Sequence, residues 1–147
     1  CLLASPGFSA TPEPQSDQAK QIKTLVDKAA ALIESKGKCA FPELRKKDSE
    51  WYKGDTYVFV DDMNGTVLLL PTEPELEGKN LTDMKDATGK LWMRAFIETA
   101  KTKGSGWVDY MWPKPGKDKP SKKISYIKKA KMPDGKMVFV GAGMYLE

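Results

Sequence analysis

The chain has 147 residues, of which 40% are hydrophobic and 30% charged, a balance typical of one soluble globular domain. The absence of histidine excludes a Ser-His-Asp triad, histidine-ligated zinc or haem and imidazole acid–base catalysis, and the two cysteines form no metal-binding pattern. The formal net charge of +4 is unevenly spread, and we interpret the lysine-rich stretch 114–136 as a solvated face or protected edge strand rather than a nucleic-acid surface.

The first ten residues are small and apolar and resemble the end of a secretory signal, with a cleavage-like site at Phe8-Ser9-Ala10. A lipid-modified Cys1 and an ordered N-terminal extension are the alternatives. We therefore divide the chain into a signal remnant or flexible lead-in, residues 1–15, and one folded domain, residues 16–147. No stretch approaches the roughly 18–20 apolar residues of a membrane span. The sequence predicts an exported protein that is periplasmic or extracellular, either secreted or lipid-anchored.

A long amphipathic helix is predicted after the proline-bearing lead-in. Ser16 or Asp17 can cap its first turn, and Gly37 is a natural end. Its apolar residues recur at steps of three and four, as in one stripe that faces a core: Ile22, Leu25, Val26, Ala29, Leu32 and Ile33. A helix of this length can also pair with its copy, which leaves a homodimer open.

The hydrophobic period changes to two after Gly54, which indicates strands. Residues 56–61 form the first predicted strand, Asn64-Gly65 supplies a hairpin turn, and residues 66–70 return. The polar segment 71–89 is long for a plain connection, and such segments are usually functional loops or lids.

A second helix is predicted at residues 90–101, with apolar residues along one side. Three strands follow: an aromatic stretch from Gly104, residues 123–129, and residues 136–146. These elements predict an α+β domain, in which the long N-terminal helix packs on one face of a five-stranded antiparallel sheet. The loop and helix over residues 71–101 would cover a pocket on the other face.

The most informative stretch is 104–116, where an aromatic strand runs into a proline-stiffened basic turn. Side chains alternate along a strand, so Tyr110 and Trp112 share one face while Trp107 lies on the other. Lys114 stands at the end of this strand. Aromatic walls beside a fixed cation suit a small carboxylate. The competing interpretation is that the aromatic side chains only fill the core of a sheet.

Several short motifs follow one another between residues 18 and 146. They are Asp55-x-Tyr57-Val-Phe-Val-Asp61, Asn64-Gly65, Val67-Leu68, Gly78-Lys-Asn80, Gly104-x-Gly-x-Val-x-Tyr-x-Trp-Pro-Lys-Pro-Gly116, Ser125-Tyr126 and Val140-Gly-x-Gly-x-Tyr145. In this order and spacing they resemble the single Cache sensor domain, and the Trp-Pro-Lys-Pro run is the most specific of them. Many relatives have a histidine where this chain has Leu70 before Pro71, so its pocket is expected to be more apolar at that corner.

This resemblance implies an extracytoplasmic, PAS-like ligand-binding module. Proteins of this family are typically attached to chemoreceptors, histidine kinases or cyclic-dinucleotide enzymes, or are secreted alone, and those with assigned ligands commonly bind small carboxylates. The implied function is a non-catalytic sensor that binds acetate, propionate, lactate, pyruvate or a similar monocarboxylate. It would relay its occupancy to a signalling partner protein, and no cofactor is implied.

The candidate ligand-binding residues lie on the predicted strands and the second helix. Lys114 is preferred for pairing with a carboxylate, because an ammonium is a compact point charge. Arg94 offers a bidentate fork for the same role, although its helical position points toward solvent. The hydroxyls of Tyr110 and Tyr126, on adjacent strands, are predicted to reach one carboxylate oxygen each. Walls are expected from further aromatic side chains, for which core packing is the competing interpretation: Tyr57, Phe59, Trp92 and Trp112.

Two other classes of function compete with the sensor. The first is a structural or interaction module with a vestigial pocket, whose lysine-rich strand docks an acidic partner. The second is an enzyme, for which carboxylates near tyrosines are the candidates. Because no nucleophile–base pair, phosphate loop or metal constellation is visible, no catalytic residue is assigned.

Overall fold

The structure is a computed structural model that describes residues 11–146. The predictions for residues 1–10, namely the signal remnant and the alternatives for Cys1, lie outside the described residues. Within residues 11–146, no helix is both long enough and apolar enough to cross a membrane.

The first helix begins and ends where the capping pattern predicts. Helix α1 spans Asp17–Lys36, and the Ser16 hydroxyl accepts a hydrogen bond from the amide of Ala19 at 3.1 Å. Gly37 ends the helix with a φ of 58°, a backbone conformation that favours glycine. A 3₁₀ turn and the short helix α2, Phe41–Leu44, follow. The predicted apolar stripe of α1 packs against the sheet.

A small hairpin that the periodicity did not predict precedes the main sheet. Strand β1, Tyr52–Lys53, pairs antiparallel with β2, Thr56–Tyr57. The chain then enters β3, Phe59–Asp62, which belongs to the main sheet. The single strand predicted over residues 56–61 is therefore wrong in one respect, because the backbone changes its pairing partner at Val58. Alternation along a strand continues through such a change and does not reveal it.

A hairpin turn follows β3 at the predicted place. The Asp62 carboxylate accepts hydrogen bonds from the amides of Asn64 at 2.9 Å and Thr66 at 3.0 Å. Gly65 has a φ of 90° whereas Asn64 does not have a positive φ, so the loop is not the two-residue Asn-Gly turn of type I′, and glycine alone supplies the left-handed conformation. Strand β4, Val67–Leu69, then pairs antiparallel with β3.

The second half of the chain completes a five-stranded antiparallel sheet. Helix α3 spans Trp92–Lys103, two residues later than the predicted 90–101. Strands β5, Ser105–Pro113, β6, Pro120–Lys131, and β7, Met137–Tyr145, follow. The order across the sheet is β4-β3-β7-β6-β5, and neighbouring strands are antiparallel. The predicted α+β architecture with five strands is confirmed.

Strand register decides which helix each side chain meets. Trp107 on β5 lies opposite Tyr126 on β6, and both belong to a cluster with Ile22 of α1. Tyr110 lies opposite Lys123, on the face covered by α3. Alternation along β5 therefore separates the two faces as predicted.

The connection between β4 and α3, residues 70–91, lies over the α3 face and is held by polar contacts. It contains the 3₁₀ turn Pro74–Leu76. The Glu77 carboxylate receives both terminal nitrogens of Arg45, at 3.0 and 3.1 Å. Farther along, Asp86 accepts a hydrogen bond from a backbone amide of β5 at 3.0 Å. These contacts anchor a segment that has little regular structure of its own.

Candidate functional site

A small cavity lies between the sheet and α3, on the face away from α1. Its walls come from β2 to β5, the connection and α3: Tyr57, Phe59, Asp61, Val67, Leu70, Leu81, Trp92, Phe96, Tyr110 and Trp112. Its volume of about 20 Å³ is room for about one water molecule. The side chains therefore close over the site, and a larger ligand requires the covering elements to move.

A buried lysine supplies the positive charge beside this cavity. The side chain of Lys123, on β6, belongs to a residue that is only 1% exposed. Its ammonium nitrogen donates a hydrogen bond to Tyr57 Oη at 2.8 Å and lies 4.2 Å from the centroid of that ring. The rings of Phe59, Tyr110 and Tyr145 also surround it, with centroids at 5.7, 5.8 and 5.2 Å. Lys123 is thus a cation in an aromatic cage.

Two glycines of β7 make room for this cage. A methyl group at Gly141 would overlap the Phe59 ring, and one at Gly143 would overlap Ser125 Oγ and come within 2.9 Å of Lys123 Cε. Strand β7 lies directly between β3 and β6. The bare backbone of β7 therefore lets the phenyl ring and the lysine stem lie flat over the sheet.

No carboxylate of residues 11–146 forms a salt bridge with Lys123, although the partly buried Glu73 carboxyl interacts with its charge from a longer distance. The salt bridges within that range, defined by a nitrogen–oxygen distance of 4.0 Å or less, do not include Lys123. Burial lowers the pKa of Lys123, but the Tyr110 and Tyr57 hydroxyls outweigh burial and raise the pKa above its ordinary value of 10.5. The ammonium is therefore charged at neutral pH. Because a buried charge without a salt-bridge partner is costly, an anion close to this ammonium would be stabilising.

Two tyrosines of the cage, Tyr110 and Tyr145, have raised pKa values. Tyr110 Oη lies 3.0 Å from Ser125 Oγ, and burial raises the pKa of Tyr110 to about 12. Burial also raises the pKa of Tyr145, whose hydroxyl donates to the Pro113 carbonyl at 2.7 Å. Both phenols therefore keep their protons at neutral pH, and Tyr110, which lines the cavity, is the one of the two that can donate to a ligand oxygen.

Trp92 forms one wall of the cavity and carries a buried donor. Its ring stacks on Tyr110 at 5.7 Å and meets Phe96 and Trp112 edge-on at 5.4 and 5.0 Å. The indole Nε1 is buried, and no residue among 11–146 accepts a hydrogen bond from it. Buried donors usually have a partner. This group is therefore a second feature of the cavity that a ligand oxygen would satisfy.

The cavity also contains a carboxyl group, that of Asp61. Asp61 shares its strand face with Phe59 and is 3% exposed. Burial, and to a lesser extent the neighbouring Asp62, raises the pKa of Asp61 well above its ordinary value of 3.8. The shift favours the protonated, neutral form of the carboxyl group. In that form Asp61 does not repel an anionic ligand in the same cavity.

Most of the predicted ligand-binding residues line the cavity. They are the five aromatic residues Tyr57, Phe59, Trp92, Tyr110 and Trp112. They come from β2, β3, β5 and α3, which the fold brings together around one hollow. That any of them contacts a ligand stays a prediction.

The two cations proposed for a carboxylate lie elsewhere. Lys114 follows the end of β5 and is half-buried, with Nζ 5.8 Å from the centroid of Tyr145. It is not part of the cavity wall. Arg94 is exposed on α3, where Nε donates to the Thr82 carbonyl at 2.9 Å and the guanidinium pairs with Asp83. The solvent-side orientation expected of Arg94 explains why it does not reach the cavity.

The predicted convergence of Tyr110 and Tyr126 is wrong. Tyr126 packs on the α1 face, with its ring centroid 5.3 Å from that of Trp107. Tyr110 is opposite Lys123 and points to the other face. The two strands are adjacent, but their register places the tyrosines on opposite sides of the sheet, and a shift of one residue exchanges the faces.

Lys123 is the candidate site residue that sequence reasoning missed. Within the lysine-rich stretch it resembles its exposed neighbours. Its strand position carries the signal, because Lys123, Ser125 and Ile127 alternate on one face and all three are buried. A lysine in phase with buried residues is a candidate for a buried charge.

The arrangement combines an apolar hollow with groups that can interact with a negative charge. Tyrosine hydroxyls and an indole N–H belong to residues that line the hollow, and a buried ammonium lies beside it. Within residues 11–146, no three histidine, cysteine, aspartate or glutamate side chains cluster as a metal site requires.

Comparison with solved structures identifies similar sensor domains. A periplasmic sensor domain of a chemotaxis protein matches with a TM-score of 0.77 and 35% identity, covering 88% of this chain and 95% of that one. A second structure, described as the structural basis for carboxylic acid recognition by a Cache chemosensory domain, matches with a TM-score of 0.76 and 25% identity. That match covers 90% of this chain and all of the other, 100%. The fold is therefore that of chemosensory domains.

Sequence comparison gives the same family. The chain is 31% identical over 96 residues to the methyl-accepting chemotaxis protein McpP of Pseudomonas putida. That alignment covers 65% of this chain and 17% of the receptor, so the chain spans less than a fifth of the curated relative. The family model of the Cache domain, dCache_2, matches residues 15–147. The chain therefore belongs to the Cache domain family of signal-sensing modules, and its α+β architecture is PAS-like.

Proposed function

We propose that this Cache domain is an extracytoplasmic sensor that binds a small monocarboxylate, of the acetate, propionate, lactate or pyruvate class, beside Lys123. The observation that carries the proposal is the buried ammonium, which has no carboxylate within 4.0 Å among residues 11–146. The solved Cache domain described for carboxylic acid recognition supports the ligand class. The periplasmic sensor domain supports the location outside the cytoplasm.

Each polar group around the cavity has a role in the proposed binding of a carboxylate. Tyr57 and Tyr110 line the cavity and are also the nearest polar neighbours of Lys123. A carboxylate would accept hydrogen bonds from their hydroxyls and from Trp92 Nε1, while the ammonium behind them balances its charge. Charge-assisted hydrogen bonds of this kind are the strong ones.

The remaining walls would select the ligand by size. Phe59, Leu70, Leu81 and Phe96 are apolar and close the cavity on its other sides. An added methylene in such a pocket changes binding by roughly 1–3 kcal/mol. Leu70 occupies the position at which many relatives have a histidine. An aliphatic side chain there donates no hydrogen bond to the ligand.

Binding would be transmitted by movement of the elements that cover the cavity. A volume of about 20 Å³ does not admit a carboxylic acid, so α3 or the connection moves outward when the ligand enters. A partner domain, as in the chemotaxis receptor McpP, would detect this movement. Pairing of α1 with its copy in a homodimer is a further part of the proposal.

Isothermal titration calorimetry with a panel of two- to four-carbon acids tests the proposal. We expect one or more acids to bind, and the change Lys123→Met to weaken the best of them at least about 10-fold, since an interaction with a charged group contributes roughly 1.5–3 kcal/mol. The matched control is Lys114→Met, which removes the lysine outside the cavity and should change the affinity less than about 2-fold. Circular dichroism confirms that each variant is folded.

Two results would contradict the proposal. If the folded wild-type protein gives no heat with any acid, the proposed ligand class is wrong. Binding that survives Lys123→Met but is lost in Lys114→Met removes the assignment of the ammonium and restores the prediction from the sequence.

The small cavity favours one alternative function, an interaction module with a vestigial pocket. A volume of about 20 Å³ is close to that of a packed core. The lysine-rich region presents exposed ammonium groups that an acidic partner could contact: Lys117, Lys119, Lys122, Lys129 and Lys131. Association that weakens steeply with salt, in a protein that binds no acid, would support this function over the sensor.

A further inference from the structure

Two polar contacts fasten the connection to β5 on either side of Tyr110. The Asp86 carboxylate accepts a hydrogen bond from the amide of Met111 at 3.0 Å. Lys90 Nζ donates to the carbonyl of Asp109 at 2.6 Å and lies 3.3 Å from its carboxylate. We call Asp86 and Lys90 the clasp.

The clasp binds backbone groups of β5 that have no hydrogen-bond partner within the sheet. Strand β5 is at the edge of the sheet, so its outward N–H and C=O groups have no strand partner. The outward groups that the clasp binds belong to Asp109 and Met111. Between them, Tyr110 is paired with Lys123 of β6. The clasp is therefore one residue away from a wall of the cavity.

The Asp86 carboxylate also organises its own turn. Its other oxygen accepts from the Thr88 amide at 2.9 Å, the Thr88 hydroxyl at 2.7 Å and the Lys90 amide at 3.0 Å. Burial raises the pKa of Asp86, but the hydrogen bonds from Thr88, Met111 and Lys90 outweigh burial and lower it. The carboxylate is thus ionised and preorganised to hold β5.

Little else holds this part of the connection. Apart from Asp86, residues 83–89 are exposed, including Met84, so few apolar contacts would be lost if the segment moved. The same connection supplies Leu81 to the cavity wall and leads directly into Trp92. Loss of the clasp contacts would therefore let the segment between Leu81 and Trp92 move, and both of these residues line the cavity.

We infer that the clasp gates the cavity: Asp86 and Lys90 must let go of β5 for a carboxylate to enter or leave. The inference rests on the proposed function and adds positioning residues to it. In this gate the clasp forms again after the ligand has entered, and the outward movement that the ligand requires falls on α3. Weakening it therefore raises the association and dissociation rates together and leaves the equilibrium affinity unchanged, as long as the closed state still dominates.

The first experiment needs no ligand. In Asp86→Ala, we expect hydrogen exchange of the Met111 amide to accelerate at least about 10-fold, the equivalent of one lost hydrogen bond, while the amides of β7 keep their protection. Acrylamide quenching of tryptophan fluorescence should increase. The matched control is Asp83→Ala, which removes a carboxylate of the same segment that does not contact β5. Unchanged exchange at Met111, or an equal effect of the control, overturns the inference.

The second experiment measures propionate binding by stopped-flow tryptophan fluorescence. We expect Asp86→Ala to raise both rate constants by a similar factor of about 10, with an affinity within about 2-fold of wild type. Lys90→Met should act in the same direction, and it keeps the test open if Asp86→Ala does not fold. A faster dissociation with unchanged association overturns the gate, because it shows a contact made only in the bound state.

The two experiments separate this inference from the proposed function. If propionate and the other acids do not bind, but the exchange and quenching results are as expected, the clasp controls access to the cavity and the ligand class is wrong. If the acids bind and the rates do not respond to Asp86→Ala, the sensor stands and the clasp is not its gate.

Discussion

The two faces of the sheet bury different kinds of side chain. Under α1 the interior is largely aliphatic, and Ile33, Val60 and Val138 are each 0% exposed. Under α3 the interior is aromatic and contains the ionisable residues Lys123 and Asp61, at 1% and 3% exposed. Burial of ionisable groups costs folding free energy, whereas burial of aliphatic groups contributes it.

This difference separates stability from function within one sheet. The α3 face places a buried carboxyl in a hollow lined by aromatic rings and a buried ammonium beside it. Proteins accept the cost of burying such groups most often at functional sites. We therefore assign the α1 face to stability and, under the proposed function, the α3 face to ligand binding.

The largest effect should come from the scaffold face. Ile33→Ala removes a side chain that is 0% exposed. We expect the free energy of unfolding to fall by about 3 kcal/mol, within the 2–5 kcal/mol typical of such truncations. Urea denaturation followed by circular dichroism measures it. A loss below about 1 kcal/mol would mean that the α1 face contributes little to stability.

Asp61→Asn should show an effect of opposite sign that depends on pH. Because the pKa of Asp61 is raised in the folded state, its stabilising protonation is complete below the ordinary value of 3.8 and is lost as the pH rises through the folded pKa. Wild type should therefore lose stability relative to Asp61→Asn as the pH rises above about 4, by about 1.4 kcal/mol for each unit of the shift. Parallel urea titrations at several pH values test this. A difference that is constant with pH would show that Asp61 is ionised in the fold.

The smallest effect compares two tyrosines that face opposite sides of the sheet. Tyr110→Phe removes a hydroxyl that lines the cavity, and we expect the affinity for the best acid to fall about 10-fold, the equivalent of one hydrogen bond. Tyr126→Phe removes a hydroxyl on the α1 face and should leave the affinity within about 2-fold. Calorimetry on both variants gives the answer. An equal loss in the two would show that the effect is not local to the cavity.

Local patterns in the sequence were sufficient to predict most of the architecture. The apolar stripe and the Ser16 cap located α1, and Asn64-Gly65 located the main hairpin. Alternation along β5 placed Tyr110 and Trp107 on opposite faces. Each of these features depends on residues close together in the chain, where periodicity and turn chemistry act directly.

The errors arose where the answer depends on a neighbouring strand. Alternation along β6 does not say which face meets α3, because that is set by its register with β5 and β7. Tyr126 was therefore assigned to the cavity, and Lys123 was grouped with the surface lysines. The change of partner at Val58 has the same origin, since pairing is not a property of one strand.

The bare stretch of β7 at Gly141 and Gly143 has a consequence for variation in this site. This strand gives the cavity none of its lining side chains, yet a single methyl group at position 143 would crowd both Ser125 and the stem of Lys123. A substitution at position 143 would thus move the ammonium of Lys123 without changing any residue that lines the cavity. The glycines of β7, and not only the residues that line the cavity, can therefore affect its specificity.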